Sequence, residues 1–319
     1  SRGLGDVYKR QDYTYTLIIP HYNIPNLLRR LLSTVPRRKD LQVIVVDDCS
    51  TKDLDELESV RKDYDWVEWY TTSTNGGGGK ARNIGLDHAK GKYLIFADAD
   101  DFFNLCFDEA LDKYKNSSYD MVYFAANSVN CETYQTCNRD CGITPLINRF
   151  LKTNNPMDIK NKFTAPWGRF ICRKMIKENL IRFHETIVYN DMWFCLLAEY
   201  HSENICADEL AIYCVTERPG STSDITIPQK EVHKMEEVSK YYTYAQLNKI
   251  RIAPLWCLIG PMLSALNRKN WEKYKEQAYE PFVQIGVTKR KLRKTLLTYY
   301  LYLKLLVPLN NILKELKLK

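Results

Sequence analysis

Tyr93-Leu94-Ile95-Phe96-Ala97-Asp98-Ala99-Asp100-Asp101 joins a short apolar run to three carboxylates in four positions. Side chains alternate along a strand, so Asp98 and Asp100 are expected to project together where the strand ends, as oxygen ligands for a divalent cation. Clefts at the carboxyl ends of parallel strands are where α/β proteins bind ligands. A plainer reading of the same residues is a solvated acidic turn ahead of a helix beginning near Phe107.

Outward from this stretch, β-rich apolar runs recur at Thr14 to Ile19, Leu41 to Val46, Val67 to Thr71, Tyr93 to Phe96 and Met121 to Phe124. They start about 26 residues apart, with helix-like segments between most of them. Leu27, Leu28, Leu31 and Leu32 fall at helical spacing, as do Leu54, Leu57 and Val60. This alternation predicts an α/β fold, a mostly parallel sheet flanked by helices. Beyond Lys230 the pattern is helical and rich in Tyr and Leu, and prolines punctuate it at 254, 261, 281 and 308.

The chain has 319 residues and a net charge of +7. That charge is concentrated: Gly286 to Lys319 holds nine Lys or Arg against Glu315, leaving the other 285 residues at −1. This distribution argues against a basic nucleic-acid groove in the main body. The basic, Leu-rich tail from Lys289 to Lys319 reads instead as a helix for an anionic membrane surface or one docked on the body. Its deletion is expected to weaken binding to anionic vesicles and to leave the main body's own chemistry largely unchanged. No uncharged apolar run is long enough to span a bilayer, since Lys304 and Pro308 interrupt Leu296 to Leu313.

Ten cysteines without a disulfide-type framework suggest free thiols in the cytosol, and Cys131, Cys137 and Cys141 lack the CxxC pair of a common zinc site. The segment Asp6-Val7-Tyr8-Lys9-Arg10-Gln11 resembles a translated sequencing-adapter end, so residues 1–11 are set aside as a non-native lead.

Four further segments join the acidic triplet in a fixed order. Leu17-Ile18-Ile19-Pro20-His21-Tyr22-Asn23 ends a strand on a proline turn with an aromatic beyond it. Val45-Val46-Asp47-Asp48-Cys49-Ser50-Thr51 leads a buried strand into two carboxylates and a hydroxyl pair. Asn75-Gly76-Gly77-Gly78-Gly79-Lys80-Ala81-Arg82-Asn83-Ile84-Gly85 is a loop entering a helix. Tyr189-Asn190-Asp191-Met192-Trp193-Phe194 lies about 90 residues after the triplet, ahead of Arg218-Pro219-Gly220-Ser221-Thr222-Ser223.

Taken together, these segments resemble family 2 glycosyltransferases of the GT-A fold, the inverting class that uses nucleotide-sugars. The resemblance covers roughly Asp12 to Ser223, and residues 224–319 form a helical basic region outside it. It implies that the Pro20 to Tyr22 turn cradles the nucleoside, that Asp48 meets a uracil-type base, and that Asp98 faces the ribose or the metal. Asp100 and Asp101 become the metal-side pair for Mn²⁺ or Mg²⁺, which would stabilise charge on the departing diphosphate. Arg82, and less firmly Lys80, approach the nucleotide beside the N–H groups of the helix start.

Inversion needs a base for the acceptor hydroxyl. Asp191 matches the second acidic position of the family's pair; Asn190 departs from the first, and Glu185 is the fallback. Arg218 matches a segment that closes over the diphosphate, while Trp167 and Trp193 could stack on sugar faces, although a place in the core is the commoner fate of such aromatics. Four consecutive glycines also depart from the family pattern.

The implied donor is a UDP-sugar and the implied acceptor a glycan or lipid-linked glycan, in cell-surface polysaccharide assembly at the cytoplasmic face of a membrane. Rival readings fail on context. Gly76-x-Gly78-x-x-Ala81 follows the third strand rather than the first, and Ala81 stands where a P-loop needs Ser or Thr. A non-catalytic scaffold of the same fold is disfavoured by retention of the triplet and Asp191.

Overall fold

The computed structural model describes residues 13–140, 142–186, 189–218 and 227–306. The chain divides into two compact units, one ending at Arg218 and the other beginning at Pro219.

In the first unit the order is β1 (Tyr15–His21), α1 (Pro25–Ser33), β2 (Leu41–Asp47), α2 (Leu54–Asp63), β3 (Glu68–Thr71), α3 (Gly77–His88) and β4 (Tyr93–Phe96). There follow β5 (Phe102–Phe103), α4 (Cys106–Tyr114), β6 (Met121–Asn130), α5 (Ile143–Thr153), β7 (Arg169–Cys172), α6 (Arg173–Glu178), α7 (Asn190–His201) and β8 (Ile205–Glu217). The strands form one eight-stranded sheet in the order β3-β2-β1-β4-β7-β6-β8-β5.

Parallel pairing joins β3, β2, β1 and β4, as the alternation of strands and helices predicts. Every residue of β2 is buried, because helices cover both faces of a parallel sheet. Register brings the ends of β1 and β2 level, with His21 opposite Asp47, whereas β4 stops opposite Ile18, three residues before β1 ends. The residues just past β1, β2 and β4 thus share one edge, and these are the expected binding residues.

Beyond β4 the sheet is mixed. β7 runs antiparallel to β4 and β6, β5 antiparallel to β8, and only β6 and β8 pair in parallel. β5, β7 and β8 are absent from the sequence-based strand set: the first two are very short, and β8 is interrupted by Asp208 and Glu209.

Glycines allow the closest approach of helix to sheet. A Cβ on Gly85 of α3 would lie 2.4 Å from Ile18 Cγ2 in β1, and one on Gly79 only 2.1 Å from the His184 carbonyl oxygen. The α3 N-terminus therefore meets the chain leading to α7 backbone against backbone. At the other end of α7, Arg169 of β7 and Glu199 form an ion pair at 2.8 Å with both side chains almost wholly buried.

The second unit contains α8 (Pro228–Leu247), α9 (Leu255–Arg268), α10 (Glu272–Gln284) and α11 (Lys289–Leu301). Pro254 and Pro228 stand at helix starts, whereas Pro261 and Pro281 lie inside helices. Among the described residues no helix is long and apolar enough to cross a membrane. Pro219, Gly220 and Ser221, Cys141, Pro308 and the tail beyond Leu306, and the lead of residues 1–11 lie outside the described residues.

Candidate active site

The first wall of the site is the edge where β1 and β2 end. Pro20 is paired with Val46 inside the sheet, and Tyr22 just beyond it is exposed. His21 is buried; its Nε2 accepts from the Ile24 N–H at 3.2 Å, so Nδ1 carries the proton and donates to Asp47 Oδ1 at 2.8 Å. Burial pushes the Asp47 carboxyl up, but hydrogen bonds from His21 and Ser50 outweigh it and hold the group below the usual carboxylate value. Asp47 thus braces the turn and leaves Asp48 facing the glycine loop.

Asp48 is buried and committed to that loop. Its Oδ1 accepts from Thr72 Oγ1 at 2.9 Å and from the Gly76 N–H at 3.0 Å, and its Oδ2 accepts from the Gly77 N–H at 2.6 Å. A carboxylate placed on the first N–H groups of α3 meets the positive end of the helix dipole. The expected base-contacting residue is therefore occupied in shaping the loop. Lys80 reaches back to Thr74 Oγ1 at 3.1 Å.

Arg82, one turn into α3, is the central cation. It is buried, with Nη2 against Asp98 Oδ1 at 2.5 Å and Nη1 donating to Asn190 Oδ1 at 2.8 Å. Its guanidinium carbon lies 5.4 Å from the centre of the Phe183 ring. Burial opposes its charge, but Asp98 and Asp191 outweigh burial and hold the guanidinium firmly protonated. One side chain thus ties the acidic turn after β4 to the start of α7.

An aromatic cluster fixes that start. Phe194 of α7 stacks on Phe183 with ring centres 4.0 Å apart, and both pack edge-on against Phe96 of β4. Asp191, in the first turn of α7, is thereby held near Asp98 and Arg82. Burial raises its carboxyl above the ordinary 3.8; Arg82 lowers it and Asp98 raises it, with a net upward shift. Glu185 instead accepts from Asn83 Nδ2 at 3.1 Å, in the clasp between α3 and the segment before α7.

The three carboxylates of the triplet have different fates, because the chain turns after Phe96 and does not continue as a strand; the Asp101 N–H donates to the Asp98 carbonyl at 3.0 Å. Asp98 faces Arg82. Asp100 Oδ2 accepts from Arg218 Nε at 2.7 Å. Asp101 is buried, its Oδ2 accepting from the Tyr213 hydroxyl and its Oδ1 from the Thr216 N–H, both at 2.7 Å. Burial first, then Asp100 and Asp98, push the Asp101 carboxyl well above the usual range.

Asp100 and Asp101, expected as a metal-side pair, are therefore split between the site and the sheet. The second oxygens of Asp98 and Asp100 make no hydrogen bond among the described residues, and both side chains are partly exposed. Two hard oxygen donors, each balanced by one guanidinium, fit Mn²⁺ or Mg²⁺, ions that take few protein carboxylates and keep water or phosphate ligands. Among the described residues no group of three or more His, Cys, Asp or Glu is placed to share a metal. Cys131 and Cys137 are free thiols.

Sequence reasoning missed the residues that hold the turn. Tyr213 and Thr216 come from β8, and Arg30 of α1 donates to both the Asp100 carbonyl and the Cys131 carbonyl. Only an assignment of β8 as a strand beside the turn would have found the first two. Trp167 stacks on Tyr213, and Trp193 on His184.

Known proteins share the family and the fold of this chain. Residues 16–180 match the family described as Glycosyl transferase family 2. Poly(ribitol-phosphate) beta-N-acetylglucosaminyltransferase TarS of Staphylococcus aureus is 33% identical over 95 residues, which are 28% of this chain and 17% of TarS. Poly(ribitol-phosphate) beta-glucosyltransferase of Bacillus spizizenii is 27% identical over 254 residues, 74% of this chain and 38% of that enzyme. The chain thus matches well under half the length of either relative.

Among solved structures, S. aureus TarS 1-349 in complex with UDP-GlcNAc aligns with a TM-score of 0.56 at 19% identity, over 90% of this chain and 79% of that one. A mannosyltransferase of Pyrobaculum calidifontis in complex with GDP-Man and Mn2+ aligns at 0.51 and 14% identity, over 91% and 80% of the two chains. These likenesses establish the GT-A fold. With a family match spanning just over half of the chain, and its motifs gathered at one sheet edge, the protein belongs to glycosyl transferase family 2.

Proposed function

We propose that this protein is an inverting glycosyltransferase that moves a sugar from a nucleotide-sugar, a UDP-sugar, to a hydroxyl of a cell-surface glycan or its lipid-linked form. The observation that carries the reading is the Asp98–Arg82–Asn190 bridge, which sets Asp191, a carboxylate with a raised proton affinity, beside the acidic turn. The names of the two relatives, both acting on poly(ribitol-phosphate), support a cell-surface polymer as acceptor. The cytoplasmic side of a membrane, where activated sugars are made, is the proposed place of action.

In this reading Pro20 and Tyr22 form the nucleoside wall, and Asp48 serves it by holding the glycine loop in place. Asp98 and Asp100 would hold Mn²⁺ or Mg²⁺, which supplies Lewis-acid neutralisation of the charge on the diphosphate. Asp101 keeps their turn in position through Tyr213 and Thr216. Arg82 offers a fixed positive charge next to the leaving group and orients the start of α7. Asp191 accepts the proton of the acceptor hydroxyl as that oxygen bonds to the anomeric carbon, and the bond from that carbon to phosphate breaks on the opposite face. The diphosphate departs with the electron pair.

The test is release of nucleoside diphosphate from UDP-, GDP- and dTDP-sugars, with Mn²⁺ or with EDTA, alongside calorimetric donor binding. Asp191→Ala is expected to lose about 10²–10⁴ in turnover while binding donor normally. Asp100→Ala is expected to lose metal-dependent binding as well. Absence of donor binding in the unaltered chain would defeat the proposal.

A further inference from the structure

Helix α11 carries its charge at the end where the helix field opposes it. Lys289, Arg290, Lys291, Arg293 and Lys294 crowd its start, and its first turn holds no acidic residue. The unpaired N–H groups of a helix N-terminus amount to about half a positive charge, so these cations repel the helix end as well as one another. Thr288 caps the helix by accepting from the Lys291 N–H, and Lys289 pairs with Glu276. Arg290, Lys291, Arg293 and Lys294 are exposed and make no ion pair among the described residues. Such an array is relieved by an anion from outside.

The two faces of the helix differ sharply. Leu292 and Thr295 are buried, and a Cβ on Gly260 of α9 would come within 2.6 Å of the Tyr299 ring. Tyr302, in the short π-helical continuation Tyr302–Leu306, packs on Trp256 with ring centres 5.0 Å apart. At helical spacing on the opposite side stand Arg290, Lys294, Leu297 and Leu301, with Lys304 and Leu305 beyond. Leu297 is 59% exposed, Leu301 49% and Leu305 63%. One outward face is thus cationic at its start and apolar at its end.

We propose that this face docks on an anionic phospholipid surface, the cations meeting headgroup phosphates and the leucines entering the acyl boundary. A lipid surface satisfies both halves of the face at once. A soluble polyanion would leave the leucines in water, and a second copy meeting this face with its own would bring like charges together, since Gly286 to Leu306 contains no Asp or Glu. The inference is independent of the proposed chemistry, because lipid binding is read without any donor.

The experiment is sedimentation of the full chain with phosphatidylcholine vesicles, with and without phosphatidylglycerol, at low and high salt. Partition is expected to be at least about tenfold stronger on the anionic vesicles and to weaken with salt. Leu297→Gln/Leu301→Gln and, separately, Arg290→Gln/Lys294→Gln are each expected to lower it by about tenfold or more, with thermal melting unchanged. Equal partition onto neutral vesicles would overturn the proposal. So would binding that ignores the leucine changes and is competed by soluble polyphosphate, or leucine variants that turn a dimer into a monomer and leave vesicle binding intact.

Discussion

Arg82 shows how much of this site rests on one side chain. It is buried, and its charge is acceptable there only because Asp98 and Asp191 lie near it and the Asn190 carbonyl accepts one of its N–H groups. Asn190 stands where the family pattern has a carboxylate, so Arg82 meets one negative neighbour fewer. Asp191 in its proposed role as base must be deprotonated, and its carboxyl is raised above 3.8. Activity is therefore expected to fall as pH drops through that raised value. Asn190→Asp adds a negative charge beside Asp191 and draws Arg82 toward itself; both effects raise Asp191 further. The acid limb of the kcat/KM profile should move up by about one pH unit. A limb that stays in place would remove Asp191 from the role of titrating base. At this scale residue types were legible in the chain and partners were not. Asp48 and Asp101 stand in acidic motifs of the sequence, and both are hydrogen-bonded into the protein, by Gly76 and Gly77 in one case and by Tyr213 and Thr216 in the other.

Among the elements, α3 does the most to set the geometry, and it does so by lacking side chains. Alanine in place of a helix-interior glycine normally stabilises by about 1 kcal/mol. At Gly85 the new Cβ would sit 2.4 Å from Ile18 Cγ2, so Gly85→Ala is expected to destabilise by about 1–3 kcal/mol instead. Ile18→Ala removes the clashing atom. The double variant should be less destabilised than the sum of the singles, with a coupling of at least about 0.5 kcal/mol. Denaturant midpoints of the four proteins measure this, and simple additivity would show that the contact is not tight. The parallel strands β1, β2 and β4 were legible because each is a continuous apolar run ending at a motif. β5, β7 and β8 were not, since a two-residue strand has no period and β8 acquires its register only by pairing with β6 and β5.

For the molecule as a whole, the main apolar core runs from Tyr15 to Val215 and is drawn entirely from the first unit. That unit also contains every residue assigned to the chemistry, including the Arg218–Asp100 pair. Residues 13–218 expressed alone are expected to unfold in one cooperative transition and to keep donor binding within a few-fold of the full chain, as measured by circular dichroism and calorimetry. Loss of the cooperative transition would mean that the second unit is required for the first to fold. The fold class, the order of the motifs and the family were readable from the chain because strand burial, turn chemistry and acidic clusters are local patterns. The partners of the motifs were not local. Arg82 meets Asn190 across 108 positions and Asp101 meets Thr216 across 115, and such distances close only when the sheet is assembled. Folding therefore decided which carboxylate faces a guanidinium, which is buried, and which is poised to take a proton, because burial and neighbouring charge exist only in the packed chain.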